Sequence, residues 1–140
     1  MTAGDLAALH AACFIVPRPW TAAEFADLLT SPLTFLSAAP GGFALGRVIA
    51  DEAELLTIAV HPDLRRLGLG RRLLVAFLHQ AAGRGAAAAF LEVGATNESA
   101  LALYLDAGFR QVGRRSGYYT TAAERTDALI LRRDCGVNGG

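Results

Sequence analysis

Apolar residues in this chain change their spacing along its length, and each change marks an element. From Gly4 to Phe14, Leu6, Leu9 and Cys13 recur on one face with the period of a helix. A second helix is expected from Thr21, because Thr21-Ala-Ala-Glu24 has the form of a capping box, in which hydroxyl and carboxylate each bond the other residue's backbone N–H. Thr34 to Ala38 and Phe43 to Ala50 read as strands joined by Pro40-Gly41-Gly42, and Asp51-Glu52 turns the chain into a third strand, Glu54 to Val60. An amphipathic stretch, Leu67 to Leu78, predicts a long helix ending near Gly83 to Gly85. Ala87 to Val93 is apolar with few breaks, as a strand covered on both faces would be. Asn97 or Thr96 then caps a helix running to Ala107, with Gly108 stopping it. Phe109 to Arg115 and Asp127 to Arg132 read as the last strands, with a loop between them carrying Tyr118 and Tyr119 and a frayed tail from Cys135 to Gly140.

The order is helix, helix, three strands, helix, strand, helix, two strands. It predicts an α/β (α+β) domain, residues 1–140, with a mixed, mostly antiparallel sheet flanked by helices on both faces. The long helix makes the third and fourth strands parallel, and where such strands part toward their C-terminal ends a ligand crevice opens.

Composition narrows the ligand. Hydrophobic residues make up 53% and charged residues 19%, the balance of a folded globular chain. The formal net charge is +0, so no global field draws the protein to nucleic acid or to a membrane, and any anion site must be local. All 13 basic residues are arginine, which a GC-rich coding bias explains, but the absence of lysine excludes P-loop and Schiff-base chemistry. Cys13 and Cys135 lie far apart without metal-ligand spacing, so reduced thiols and no metal are expected. No basic leader and no membrane-length apolar run is present in the sequence, which makes a cytoplasmic location the expectation.

The chemistry concentrates in Arg65-Arg66-Leu67-Gly68-Leu69-Gly70, between an apolar strand and a helix. Such a turn suits a pyrophosphate: unpaired N–H groups of the first helical turn and the positive helix end face the anion, while glycine removes Cβ atoms from its path. A Rossmann fingerprint would place its first glycine nearer the strand and a third at position 73, which is Leu. A merely structural turn accounts for the glycines but not for Arg65 and Arg66 ahead of them.

The run Ile58-Ala-Val-His-Pro-Asp-Leu-Arg-Arg-Leu-Gly-Leu-Gly-Arg-Arg-Leu-Leu resembles the acetyl-CoA motif of the GNAT N-acetyltransferases, whose Arg/Gln-x-x-Gly-x-Gly/Ala core matches Arg65, Gly68 and Gly70. Leu91-Glu-Val-Gly-Ala-Thr-Asn-Glu-Ser-Ala-Leu-Ala-Leu-Tyr-Leu-Asp-Ala-Gly-Phe resembles the second family motif, followed by Gly117-Tyr-Tyr. Within that superfamily the pattern is most similar to the ribosomal-protein-alanine type. Two departures stand out: the strand that usually precedes the first helix has no counterpart, and Gly94 stands where that type commonly has Arg.

The resemblance implies a GNAT fold, acetyl-CoA as cosubstrate and no metal, with direct attack by the amine while both substrates are bound. The cosubstrate would lie along Ile58, Ala59 and Val60, whose main chain polarises the thioester, and against Arg65, Arg66, Leu67, Gly68, Leu69, Gly70 and Arg71, with Asn97 and Tyr104 along its pantetheine arm. Glu92 is the expected general base, with Glu54 as its rival; Tyr104 is the expected acid for the leaving thiolate, and Tyr118 and Tyr119 would line the acceptor channel. Arg114 and Arg115 read as a solvated strand end. The expected acceptor is a protein N-terminus, such as that of a ribosomal protein, in a monomer or homodimer. The alternatives are a small amine, a lysine side chain, or a CoA-binding module without catalysis.

Overall fold

A computed structural model describes residues 1–13, 20–65, 67–120 and 125–135. Two helices, α1 (Ala3–Cys13) and α2 (Ala22–Thr30), precede a meander of β1 (Thr34–Ala39), β2 (Gly42–Ile49) and β3 (Glu52–Val60). A single 3-10 turn, Pro62–Leu64, leads into α3 (Leu69–Gly83), then β4 (Ala88–Gly94), α4 (Glu98–Asp106), β5 (Arg110–Thr120) and β6 (Arg125–Asp134). The capping box at Thr21 and Glu24 is formed in both directions, and Gly108 follows α4 with φ +95°, the left-handed exit that glycine permits. Among the described residues no helix is long and apolar enough to cross a membrane.

The six strands form one sheet in the order β1-β2-β3-β4-β6-β5, antiparallel except where β3 meets β4. Helix α3 packs on one face, where Leu73, Leu74 and Phe77 meet Leu55, Leu91, Val93, Leu129 and Leu131, and Tyr104 and Phe109 extend the same core. Phe35 and Phe77 stack there with centroids 5.6 Å apart. Both rings rest on Gly46, where a Cβ atom would come within 2.5 Å of Phe77 and 2.7 Å of Phe35.

Helices α1 and α2 cover the opposite face over β1 to β3, burying Leu6, Leu9, Phe25, Phe43, Leu45 and Ala59. His10 is buried with them, at 1% exposure. Its Nδ1 accepts the Trp20 backbone N–H at 2.9 Å, so Nε2 carries the proton and donates to Thr57 Oγ1 at 2.9 Å. Burial lowers the His10 pKa from 6.5 to about 4, an effect that the charge of Glu24 partly opposes.

Strand β1 is an edge of the sheet, and no strand precedes α1 among the described residues. Val48 N–H donates to Leu33 C=O, so strand alternation turns the main-chain groups of Leu36 outward. Gln80, reaching across from α3, donates to the Leu36 carbonyl at 3.1 Å and to Ser37 Oγ at 2.7 Å.

Two expectations need correction. β4 is not covered on both faces: Leu91 and Val93 are buried, while Phe90 and Glu92 alternate to a face that α1 and α2 do not reach. Tyr118 and Tyr119 lie in β5 rather than in a loop. The cause is Asp127 of β6, whose carboxylate accepts the Gly117 N–H at 2.7 Å and Arg114 Nε at 2.6 Å, carrying the pairing past an irregularity between Arg115 and Tyr119. The expected tail lies outside the described residues beyond Cys135, which is buried.

Candidate active site

β3 and β4 pair over only three residues, Glu52 to Glu54 against Ala88 to Phe90, and then both run on without pairing to each other. The parting opens a crevice between Leu55–Val60 and Leu91–Gly94. His61 N–H donates to Gly41 C=O, on the β2 side. Strand alternation therefore turns the Ala59 N–H toward β2 as well, and the N–H groups of Ile58 and Val60 toward the crevice. Of the expected cosubstrate residues on this strand, Ile58 and Val60 present main chain to the opening, and Ala59 is buried beneath α1 and α2.

At the end of β3 the Val60 carbonyl, also on the open side, accepts from Cys13 Sγ at 3.2 Å and from Arg65 Nε at 3.3 Å. Gly68 then begins α3 with φ +80° and ψ 4°, and among the described residues nothing lies within 4 Å of the position its Cβ would occupy. Among the described residues no side chain caps this helix start, and no acid sits in its first turn. Its N–H groups are thus available to an external anion, whose approach a Cβ at position 68 would obstruct. Leu67 is exposed, Leu69 is buried in the core, and a Cβ at Gly70 would make only ordinary contacts with Leu103 and Val60. Arg71 is ion-paired with Asp106 at the end of α4. Arg66 lies outside the described residues.

The face left open by α1 and α2 holds a hollow of about 320 Å³ lined by Arg47, Glu52, Glu54, Phe90, Glu92, Arg115 and Ile130 among others. Both rival carboxylates stand in it, each with a partner. Glu54 Oε1 is bound by Arg47 Nη2 at 2.5 Å from the directly opposite position on β2. Glu92 Oε1 lies 3.3 Å from Arg115 Nη2, which reaches over from β5. Glu54 is thus tied to the neighbouring strand by Arg47, and Arg114 and Arg115 are exposed as expected but lie inside β5 rather than at its end, with Arg114 paired to Asp127. The sequence held a signal for the first pair: a tight turn at Ala50 and Asp51 sets Arg47 against Glu54.

Asn97 is the N-cap of α4, its Oδ1 accepting the Ala100 N–H at 3.3 Å, and it stays exposed on the rim. Tyr104 is buried in α4, edge-on to Phe109 at 6.0 Å. Tyr118 is half exposed, with the Arg115 guanidinium carbon 5.1 Å from its ring centroid. Tyr119 is in β5 opposite Thr126. A larger hollow, about 680 Å³, lies between β1 and α3, but its lining contains no carboxylate to act as a base.

The model of the acetyltransferase (GNAT) family matches residues 6–109. The ribosomal protein bS18-alanine N-acetyltransferase of Escherichia coli K12 is 46% identical over 89 residues, 64% of this chain and 60% of that protein, so the chain spans three-fifths of the length of that relative. The N-alpha-acetyltransferase RimI of Mycobacterium tuberculosis is 39% identical over 139 residues, covering 93% of this chain and 85% of its own length. Among solved structures, the E. coli ribosomal-protein-S18-alanine N-acetyltransferase superposes with a TM-score of 0.83 at 33% identity, over 94% of this chain and 86% of that one. Arabidopsis thaliana NAA60 in complex with acetyl-CoA, at 18% identity, shares the fold with a TM-score of 0.81 over 97% of this chain and 93% of its own.

Proposed function

Because the chain belongs to the acetyltransferase (GNAT) family, we propose that it transfers the acetyl group of acetyl-CoA to the N-terminal α-amino group of a protein, a ribosomal protein foremost. The observation that carries this reading is the parting of β3 and β4, with two main-chain N–H groups on the open edge, an uncapped glycine-initiated helix at its mouth and a carboxylate beside it. Acetyl-CoA supplies an activated acyl group on a thiol leaving group. The first turn of α3 receives its pyrophosphate. The Ile58 and Val60 N–H groups bond the thioester oxygen as negative charge builds there, a role typically worth about 3 kcal/mol in other enzymes. Glu92 takes the proton of the attacking amine, directly or through a water, and the Tyr104 hydroxyl returns one to the departing sulfur.

The preference for an α-amine rests on magnitude and on the relatives. An α-amino group has a pKa near 8 and a lysine side chain one near 10.4, so freeing the lysine nitrogen of its proton at neutral pH costs about 3 kcal/mol more. A single carboxylate already engaged by an arginine suits the easier acceptor. Two relatives that are at least 39% identical are named for α-amine acetylation, one of them at the alanine of a ribosomal protein. Such a substrate implies a cytoplasmic enzyme.

The test is thiol release from acetyl-CoA across peptides with free or blocked N-termini, lysine and small amines, repeated for Glu92→Gln and Glu54→Gln. Turnover is expected only with free N-termini, falling at least ~100-fold in Glu92→Gln and staying within a few-fold in Glu54→Gln. Calorimetric CoA binding without thiol release from any amine would refute catalysis. Release with blocked peptides carrying lysine would refute the acceptor.

A further inference from the structure

We propose that Arg115 is the positioning residue of Glu92, with the ring of Tyr118 holding the guanidinium in place. The inference rests on the assignment of Glu92 as base and adds how that base is oriented. Glu92, Ile130 and Gly113 form one cross-strand row over β4, β6 and β5, and Gly94, Ala128 and Arg115 form the next row on the same face. Gly113, Gly94 and Ala128 leave little relief between Arg115 and Glu92. The arginine side chain can therefore lie across β6, and its Nη2 reaches Glu92 Oε1 at 3.3 Å.

Residues three apart on a regular strand point to opposite faces, so Tyr118 should not meet Arg115. It does because β5 is irregular between Arg115 and Tyr119, where Gly117 adopts φ +59° and its N–H is held by Asp127. That irregularity brings the ring to 5.1 Å from the guanidinium carbon, within cation–π range. Arg115 thus rests against the Tyr118 ring while it engages Glu92.

Engagement at Oε1 leaves Oε2 for the incoming amine or its water. Glu54 differs, since its pair with Arg47 is shorter and lies directly across a hairpin, as expected of a fixed structural contact. The longer Glu92 contact holds the carboxylate's orientation yet lets it exchange partners when a proton must be taken.

A double-mutant cycle in the full-length protein separates this role from direct contact with the acceptor. Arg115→Gln is expected to lower kcat by roughly tenfold with the KM for acetyl-CoA unchanged, and Arg115→Lys to recover part of the loss. In a Glu92→Gln background, Arg115→Gln should have no further effect. Tyr118→Ala should lower kcat in the same direction as Arg115→Gln, and again only when Glu92 is present. Equal losses from Arg115→Gln with and without Glu92, or an effect confined to the acceptor KM, would overturn the proposal while leaving Glu92 as base. If Glu92→Gln alone leaves turnover unchanged, the base assignment falls, and the positioning role with it.

Discussion

Acidification is expected to loosen α1, and His10 sets the scale. In the folded protein its imidazole is neutral, with Nδ1 accepting from Trp20 N–H and Nε2 donating to Thr57, and burial brings its pKa from 6.5 to about 4. Between those values the unfolded chain binds a proton that the folded chain refuses. The stability His10 contributes is therefore complete above the unfolded pKa and is lost as pH falls toward the folded one. The loss is about 2 kcal/mol by pH 5 and about 3 kcal/mol by pH 4, against a total of roughly 5–15 kcal/mol for an ordinary domain. Urea unfolding of the wild type and of His10→Gln, at about pH 7.5 and about pH 5, isolates this contribution because the other titrating groups cancel in the difference. Glutamine keeps a donor and an acceptor but does not titrate, so the gap between the two proteins should shrink by about 2 kcal/mol on acidification. A gap that stays constant would refute the reasoning, as would an imidazole signal for His10 titrating at its ordinary 6.5 in the folded protein. Since α1 also carries Cys13 to the Val60 carbonyl, cosubstrate binding should weaken over the same interval.

Three further outcomes follow from the geometry. Gly46→Ala places a methyl between Phe35 and Phe77 and should cost ~1–3 kcal/mol, read as a lower thermal midpoint. Gly68→Ala has open space around it but an unfavourable left-handed φ, so it should cost only about 1–2 kcal/mol while raising the KM for acetyl-CoA several-fold; an unchanged KM would mean the turn does not meet the phosphates. Tyr104→Phe keeps the ring against Phe109 and should lower kcat by ~100-fold with CoA affinity intact, which isothermal calorimetry and thiol release check together.

What could be read in the sequence is what short stretches decide. The capping box at Thr21 and Glu24 needs only the two residues that form it, and Gly108 ends α4 through its own backbone freedom. The crevice was legible because a helix between two strands forces them parallel, and the order of elements carries that information. The contact between Arg115 and Glu92 was not, because β6 lies between their strands and no feature of either segment announces which strand intervenes. The place of Tyr118 is hidden for a related reason: Gly117 invites a loop, and its N–H is held in the sheet by Asp127, ten residues on. The apolar residues of α1 alone do not point to His10, although one turn from Leu6 places it on the buried side.

The rim of a sheet is where protein molecules stick to one another, since outward N–H and C=O groups invite a strand from a neighbour. On β1 that invitation is partly withdrawn by α3. Gln80 holds the outward carbonyl of Leu36, and one turn further along Arg84 lays its guanidinium over the ring of Phe35, 4.9 Å from the centroid. A molecule extending the sheet here would have to displace an amide already bonded twice and push past a positive charge. The helix whose first turn faces the crevice thus spends its last turns discouraging aggregation, and Gln80→Ala would expose the rim without touching the site.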